Sequence, residues 1–386
     1  MADIDEVLTR RVTNIIPSKK LLEDLLNDGK KLNVYLGIDP TATRIHIGHA
    51  VALKKLQEFV DLGHNVTFLI GDFTALIGDT SDKDTERPVL TYQQIKENFK
   101  TYKKQASKIL NFSKVTVKFN SSWLSKLKFA EIVKLCQEFS FGEFAGRELI
   151  KKRLTDKKRV GLHEALYPVM QGYDSYIMNT DIQIGGADQT FNMQAGRLLQ
   201  KNLRDKESFV IVTGYLTGTD GRKMSKSWGN AIWLSDSADE IYGKTMSLPD
   251  NLIIEYFENA TSVDAKKILE VKKALKAGVN PVIIKKDLAF IITSELTNIR
   301  SATKAKNNFE KSFKKHEPEY TQEIKLQKTL ADTVAPFTNL KSASDAKRLI
   351  QQGGLTINGD VVSDLNYKIK KGDKIKIGKK IFGILV

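Results

Sequence analysis

Two short segments hold the residues best suited to gripping a polyphosphate. His46-Ile47-Gly48-His49 places two imidazoles three positions apart with a glycine between them, soon after Asp39-Pro40-Thr41. Lys223-Met224-Ser225-Lys226-Ser227 places two ammonium groups three positions apart, after the glycine-containing stretch Thr217-Gly218-Thr219-Asp220-Gly221-Arg222. If the histidines open a helix, its first N–H groups and both rings aim partial positive charge at a bound anion. Gly48 lets a nucleotide approach the backbone closely. Lys223 and Lys226 can reach one pyrophosphate as mobile point charges. Together the segments make a two-sided clamp for ATP phosphates, built from His46, Gly48, His49, Lys223 and Lys226. Taken singly, the histidines could be surface or capping residues and the lysines a solvated loop.

Such a clamp needs a strand that ends in a turn and a helix start. Residues 32–38 read as that strand, stopped by Asp39-Pro40. A helix follows over 48–62, with Val51, Leu53, Leu56 and Phe59 on one stripe. The apolar run 66–70 reads as a strand buried on both faces. Residues 92–110 are helical, and further strands are expected at 114–119, 181–184 and 209–213. Strands alternating with longer helices imply an α/β fold with a parallel sheet and right-handed crossovers. Phosphates bind in such folds at the helix start after the first strand.

The chain has 386 residues and 61 Lys and Arg against 46 Asp and Glu, a formal net charge of +15. That excess favours a polyanionic partner. A single cysteine, Cys136, excludes an intramolecular disulfide and fits a reducing cytosol. The start of the chain lacks an apolar run of signal length, and no segment reaches about 18 apolar residues, so a cytoplasmic protein without membrane contact is expected. Three regions differ in character. Residues 1–236 form the catalytic α/β domain, and 237–330 read as α-helical, broken at Pro249 and Pro281 and closing on a lysine-rich linker over 311–327. Residues 331–386 read as a small basic α+β module. A serine-capped helix over 342–352 ends at Gly353-Gly354, and short strands follow, punctuated by Asn358-Gly359, Lys371-Gly372-Asp373 and Gly378. From residue 341 onward ten Lys and Arg face four Asp, a net of +6.

The run Tyr35-Leu36-Gly37-Ile38-Asp39-Pro40-Thr41-Ala42 resembles the tyrosyl-tRNA synthetases, class I aminoacyl-tRNA synthetases of bacterial type. So do Tyr167-Pro168-Val169-Met170-Gln171-Gly172-Tyr173-Asp174 and Asp181-Ile182-Gln183-Ile184-Gly185-Gly186-Ala187-Asp188-Gln189. The likeness covers residues 30–235. Over 335–386 a softer pattern, Ser342-Ala343-Ser344-Asp345-Ala346-Lys347-Arg348-Leu349-Ile350 and Gly354-Leu355-Thr356-Ile357-Asn358-Gly359, is similar to the S4-type RNA-binding domain.

The resemblance implies a Rossmann-like sheet, an α-helical anticodon-side domain and an S4-like domain. It also implies activation of L-tyrosine by ATP, which carries Mg²⁺ with no dedicated protein metal site, and transfer to tRNA(Tyr). By the same resemblance Tyr35 and Asp174 hold the phenolic hydroxyl, and Asp79, Tyr167 and Gln171 hold the ammonium group. Asp39 and Gln189 orient the carboxylate side, Asp188 takes the ribose, and Thr41 lies near the phosphates. Asp79 to Arg87 resembles a loop whose Lys83 and Arg87 add charge against the leaving pyrophosphate. Thr80 and Asp82 stand there where the family usually has Pro and Gly, and Ala52 stands where some members carry a polar residue.

Lys151, Lys152, Arg153, Lys157, Lys158 and Arg159 put six cations into nine positions, suited to tRNA phosphates or to a solvated helix face. Lys347 and Arg348 offer similar charge in the S4-like module. A homodimer is implied by the family, with the apolar stretch 129–144 as interface or core. Three other functions remain open: a tryptophanyl enzyme, an idle RNA-binding relative, and a small-molecule adenylyltransferase. An indole brings an N–H and no hydroxyl, which argues against the first; an idle copy has no need of the clamp; an adenylyltransferase has no need of the basic module.

Overall fold

The computed structural model describes residues 3–41, 43–79, 90–224, 228–314, 320, 322–338, 341–378 and 381–386. Lys83, Arg87 and Lys226 lie outside the described residues. The chain divides into two compact units, Met1–Lys306 and Asn307–Val386.

The larger unit is built on six strands: β1 (Val12–Ile16), β2 (Asn33–Ile38), β3 (Asn65–Ile70), β4 (Thr116–Phe119), β5 (Ile182–Gly186) and β6 (Phe209–Thr213). Their order is β1-β6-β5-β2-β3-β4. All neighbours run parallel except the edge strand β1, which pairs antiparallel with β6. The chain leaves β2 toward β3 on one side and returns to β5 on the other, so β2 and β5 flank the switch point. In open α/β sheets the crevice beyond the strand carboxyl ends at that point is where ligands bind. The residues there are Asp39, just past β2, and Ala187 to Gln189, just past β5.

Helix Ile47–Asp61 buries Ala50, Val51, Leu53, Leu56 and Phe59 against β2 and β5 residues such as Leu36 and Ile184. It is buried more widely than one stripe. Lys55 is fully buried, with its ammonium donating to the Val7 carbonyl and to Glu58. Burial pulls that ammonium down to about 8, the Glu58 carboxylate opposing. The reason for the wide burial lies in helices of the 238–306 segment. Their residues Ile241, Ile253, Phe257, Leu288 and Ile292 belong to the same apolar core as the sheet and cover the helix from outside.

The smaller unit has a five-stranded sheet, ordered β7 (Gln322–Ile324), β11 (Ile381–Leu385), β10 (Lys374–Ile377), β8 (Leu355–Ile357) and β9 (Asp360–Val361). Helix Ala343–Gln351 starts at Ser342, whose hydroxyl accepts from Asp345 N at 3.2 Å, and buries Ala346 and Ile350 against it. Strand β7 falls inside the stretch read as linker. Three residues with one buried side chain, Ile324, give no periodicity to detect. Among the described residues no helix is long and apolar enough to cross a membrane.

Candidate active site

The two signature segments come together. His46 is the N-cap of helix Ile47–Asp61, extended at φ −97°, ψ 163°, so the first helical N–H groups open beside its ring. The His46 and His49 rings lie 3.8 Å apart between centroids. The strand-like segment after the lysine turn pairs with this helix entrance: Ile47 N donates to Ile232 O at 2.8 Å and Leu234 N to Ile45 O at 2.9 Å. Trp233 then meets the His46 ring edge-on at 5.9 Å. A Cβ at Gly48 would sit 2.9 Å from His46 Nδ1 and 3.6 Å from Met224 Sδ, so the absent side chain also seats the histidine and the methionine of the second segment. From the opposite side Gln105 fixes the lead-in, accepting from Ile45 N at 2.9 Å and donating to Thr43 O at 2.8 Å.

The lysine turn is a tight hairpin. Thr217 and Lys223 form an antiparallel bridge, Gly218 N donates to Arg222 O at 2.6 Å, and buried Asn230 donates to Asp220 at 2.8 Å and to Lys223 O at 3.2 Å. Lys223 is exposed, with its ammonium 4.5 Å above the Tyr215 ring. The Tyr215 hydroxyl donates to Asp188 Oδ1 at 3.1 Å, which ties the turn to the end of β5. Asp188 is half-buried, and so is Thr41, whose N–H donates to Asp39 O at 2.7 Å.

The acidic pocket forms one network at the switch point. Helix Leu162–Ile177 presents Tyr167, Gln171 and Asp174 at helical spacing on one face. Tyr167 OH donates to Asp39 Oδ2 at 2.9 Å, and Thr74 Oγ1 donates to Asp39 Oδ1 at 2.8 Å. Asn120, fully buried at the end of β4, donates to Thr74 Oγ1 and to Asp174 Oδ2, each at 3.0 Å. Trp123 Nε1 donates to Asp174 Oδ1 at 2.7 Å. Asp79 is buried and accepts from Gln189 Nε2 at 2.6 Å, with Asn192 completing the group. Tyr35, expected beside Asp174 at the phenolic hydroxyl, is buried in β2. Its hydroxyl donates to Gln183 Oε1 at 3.0 Å, because β2 and β5 pair these residues in register. Burial raises the Tyr35 phenol well above its usual range, and the Asp174 charge adds to the rise. Burial likewise pushes the Asp174 carboxyl up to about 8, against the Asn120 and Trp123 donors.

Sequence reasoning missed Gln183, Asn120, Trp123 and Asn192, because single amides and an indole carry no spacing signal. Among the basic cluster, Lys151, Lys152, Lys157, Lys158 and Arg159 are exposed. Arg153 is not. It is 1% exposed and paired with Glu164 through bonds of 2.7 and 3.0 Å, so it cannot face phosphate; it sits in helix Glu148–Thr155, whose following turn brings it onto the start of helix Leu162–Ile177. Lys347 and Arg348 are exposed, Arg348 lying 3.9 Å from Asp345.

A parallel sheet with a polar crevice at its switch point, faced by a His-x-Gly-His helix start and a lysine hairpin, is the architecture of an α/β nucleotide-binding protein. The profile of tRNA synthetases class I (W and Y) matches residues 27–314, and that of the S4 domain residues 339–375. The tyrosine–tRNA ligase of Carboxydothermus hydrogenoformans is 41% identical, the alignment covering 98% of this chain and 96% of that one. The tyrosine–tRNA ligase of Thermotoga maritima is 38% identical over the same shares. Among solved structures, a truncated mitochondrial tyrosyl-tRNA synthetase of Aspergillus nidulans superposes with TM-score 0.67 at 21% identity, covering 81% of this chain and 95% of that one. The tyrosyl-tRNA synthetase of Archaeoglobus fulgidus, solved with L-tyrosine, gives 0.63 at 22% identity over 79% and 99%. These two share the fold. The chain belongs to the class I tRNA synthetases of the W and Y type, among the tyrosyl members that carry an S4 domain.

Proposed function

We infer that this chain is a tyrosine–tRNA ligase, which activates L-tyrosine with ATP to tyrosyl-adenylate and pyrophosphate and then transfers tyrosine to the 3′ end of tRNA(Tyr). The observation that carries the reading is the seating of Met224 and Trp233 against the His46–His49 helix start, with Tyr215 beneath Lys223 bonded to Asp188 at the end of β5. The tyrosine carboxylate attacks the α-phosphorus in line and pyrophosphate departs. The carboxylate is already ionised, so no protein base is needed, and catalysis rests on positioning and on charge placed where negative charge grows.

In this reading His46, His49 and Lys223 supply that charge, with Lys83, Arg87 and Lys226 joining from outside the described residues. Tyr35 and Asp174 take the phenolic hydroxyl, while Asp79, Tyr167 and Gln171 take the ammonium. Asp39 and Gln189 orient the carboxylate, Asp188 takes the ribose, and Thr41 and Gly48 border the nucleotide. Mg²⁺ enters with ATP and keeps mainly phosphate and water ligands.

The exposed Lys151, Lys152, Lys157, Lys158 and Arg159 would meet tRNA phosphates, and within the S4 domain Lys347 and Arg348 would make phosphate contacts of their own. Residues 237–330 lie on the anticodon side. A homodimer would cover Phe129, Val133, Phe141 and Leu162, which are exposed apolar side chains. A cytoplasmic location goes with this reaction. The test is exchange of labelled pyrophosphate into ATP without tRNA, amino acid by amino acid. Tyrosine alone should support it; exchange driven by tryptophan and not tyrosine rejects the assignment.

A further inference from the structure

We propose that Glu255 is a positioning residue for the lysine hairpin, holding Thr217 so that Lys223 meets the departing pyrophosphate. The proposal rests on the tyrosine-activation reading above. Thr217 N donates to Glu255 Oε1 at 2.6 Å and Thr217 Oγ1 to Glu255 Oε2 at 3.0 Å. The next residue, Tyr256, donates from its hydroxyl to Thr217 O at 2.6 Å. Two successive residues at the start of helix Ile253–Ala260 therefore hold the N–H, the hydroxyl and the carbonyl of one threonine. A carboxylate accepts from both donors at once, one on each oxygen, and such charge-assisted pairs are short and directional.

Thr217 is the bridge partner of Lys223, so fixing one strand of the hairpin fixes the other. The helix is itself immobilised. Tyr256 and Phe257 are fully buried. At its far end Arg10 donates to Glu258 O at 3.0 Å and Thr261 O at 2.8 Å, and Arg11 donates to Asn259 O at 3.3 Å. The place of Lys223 is thus referenced to the helical segment and the amino-terminal arginines. No motif in the sequence marks this anchor, because Glu255 lies 32 positions beyond Lys223.

The experiment measures single-turnover tyrosyl-adenylate formation and, separately, tyrosine binding by equilibrium dialysis. Glu255→Ala should slow adenylate formation about 10- to 100-fold, the scale of an ångström of misplacement, and leave tyrosine affinity within about twofold. Glu255→Gln should recover most of the rate, since its amide oxygen still accepts from the Thr217 N–H and its NH₂ can donate to the hydroxyl. Thr217→Val should cost part of the same factor, and the double variant no more than Glu255→Ala alone. Glu258→Gln, on the same helix as Glu255, removes only an exposed ion pair with Lys272 of the next helix and should change nothing. If Glu255→Ala does not fold, Glu255→Gln and Thr217→Val carry the comparison. A rate within about twofold of wild type, or tyrosine affinity falling in parallel with the rate, overturns the anchor. A wild-type chain inert toward tyrosine rejects the parent reading instead.

Discussion

Removing Asp174 tests the selectivity of the pocket. Its carboxyl accepts from Asn120 at 3.0 Å and from the Trp123 indole at 2.7 Å, and the residue is 2% exposed. Asn120 keeps Thr74 Oγ1 and the Phe73 N–H as partners when Asp174 is cut back to alanine, so the pocket wall should survive. The indole N–H loses its acceptor. A bound tyrosine loses one of the two groups that would meet its hydroxyl and keeps Tyr35. An unpaired buried polar group costs about 1–3 kcal/mol, which is about a 5- to 150-fold loss in kcat/KM for tyrosine. Phenylalanine never used that partner, so its kcat/KM should stay nearly level and the tyrosine-to-phenylalanine ratio should shrink by the same factor. Pyrophosphate exchange run with each amino acid gives both values. An unchanged ratio, even with both rates depressed, would falsify the assignment of Asp174 to the hydroxyl.

Arg153→Ala should leave Glu164 buried without its cation and destabilise the chain by about 3–5 kcal/mol, read as a lower midpoint in denaturant; a shift no larger than that of Lys152→Ala refutes the buried pair. The Asp174 carboxyl also predicts a pH effect. Its pKa is raised in the fold, so its contribution to stability is fully present below the unfolded value of about 4 and is lost as pH climbs through the folded value, about 8. Asp174→Asn cannot titrate. The advantage of wild type over that variant should therefore narrow as pH rises across this window, and parallel melting profiles would contradict it.

Most of the parallel sheet was legible because β3 and β6 are largely apolar and glycine or proline stands at or just beyond the ends of β2, β3, β5 and β6. Val12–Ile16 was not. As an edge strand it carries adjacent polar residues, Thr13 and Asn14, that break any alternation, and its pairing with β6 makes it a strand. Motif residues with fixed spacing, His46 through His49 and Tyr167 through Asp174, were visible. Their partners arise from tertiary register: Gln183 lies in an apolar strand, and Asn120 and Trp123 come from the far side of the sheet. Arg153 looked like its exposed neighbours, since nothing local announces that Glu164 eleven residues later will fold over it. The burial of Lys54 and Lys55 was equally hidden, because it depends on Glu295, Ser262 and the Val7 carbonyl.

The Tyr35 phenol owns one proton and gives it to Gln183. While that bond stands, the oxygen can present only lone pairs to whatever enters beside it. An aromatic amino acid ending in a para halogen or methoxy group has no hydrogen to offer there, and would have to leave those lone pairs dry or break a bond already made. Chemical discrimination is thus set partly before any substrate arrives, by which neighbour the sheet register hands to this one oxygen.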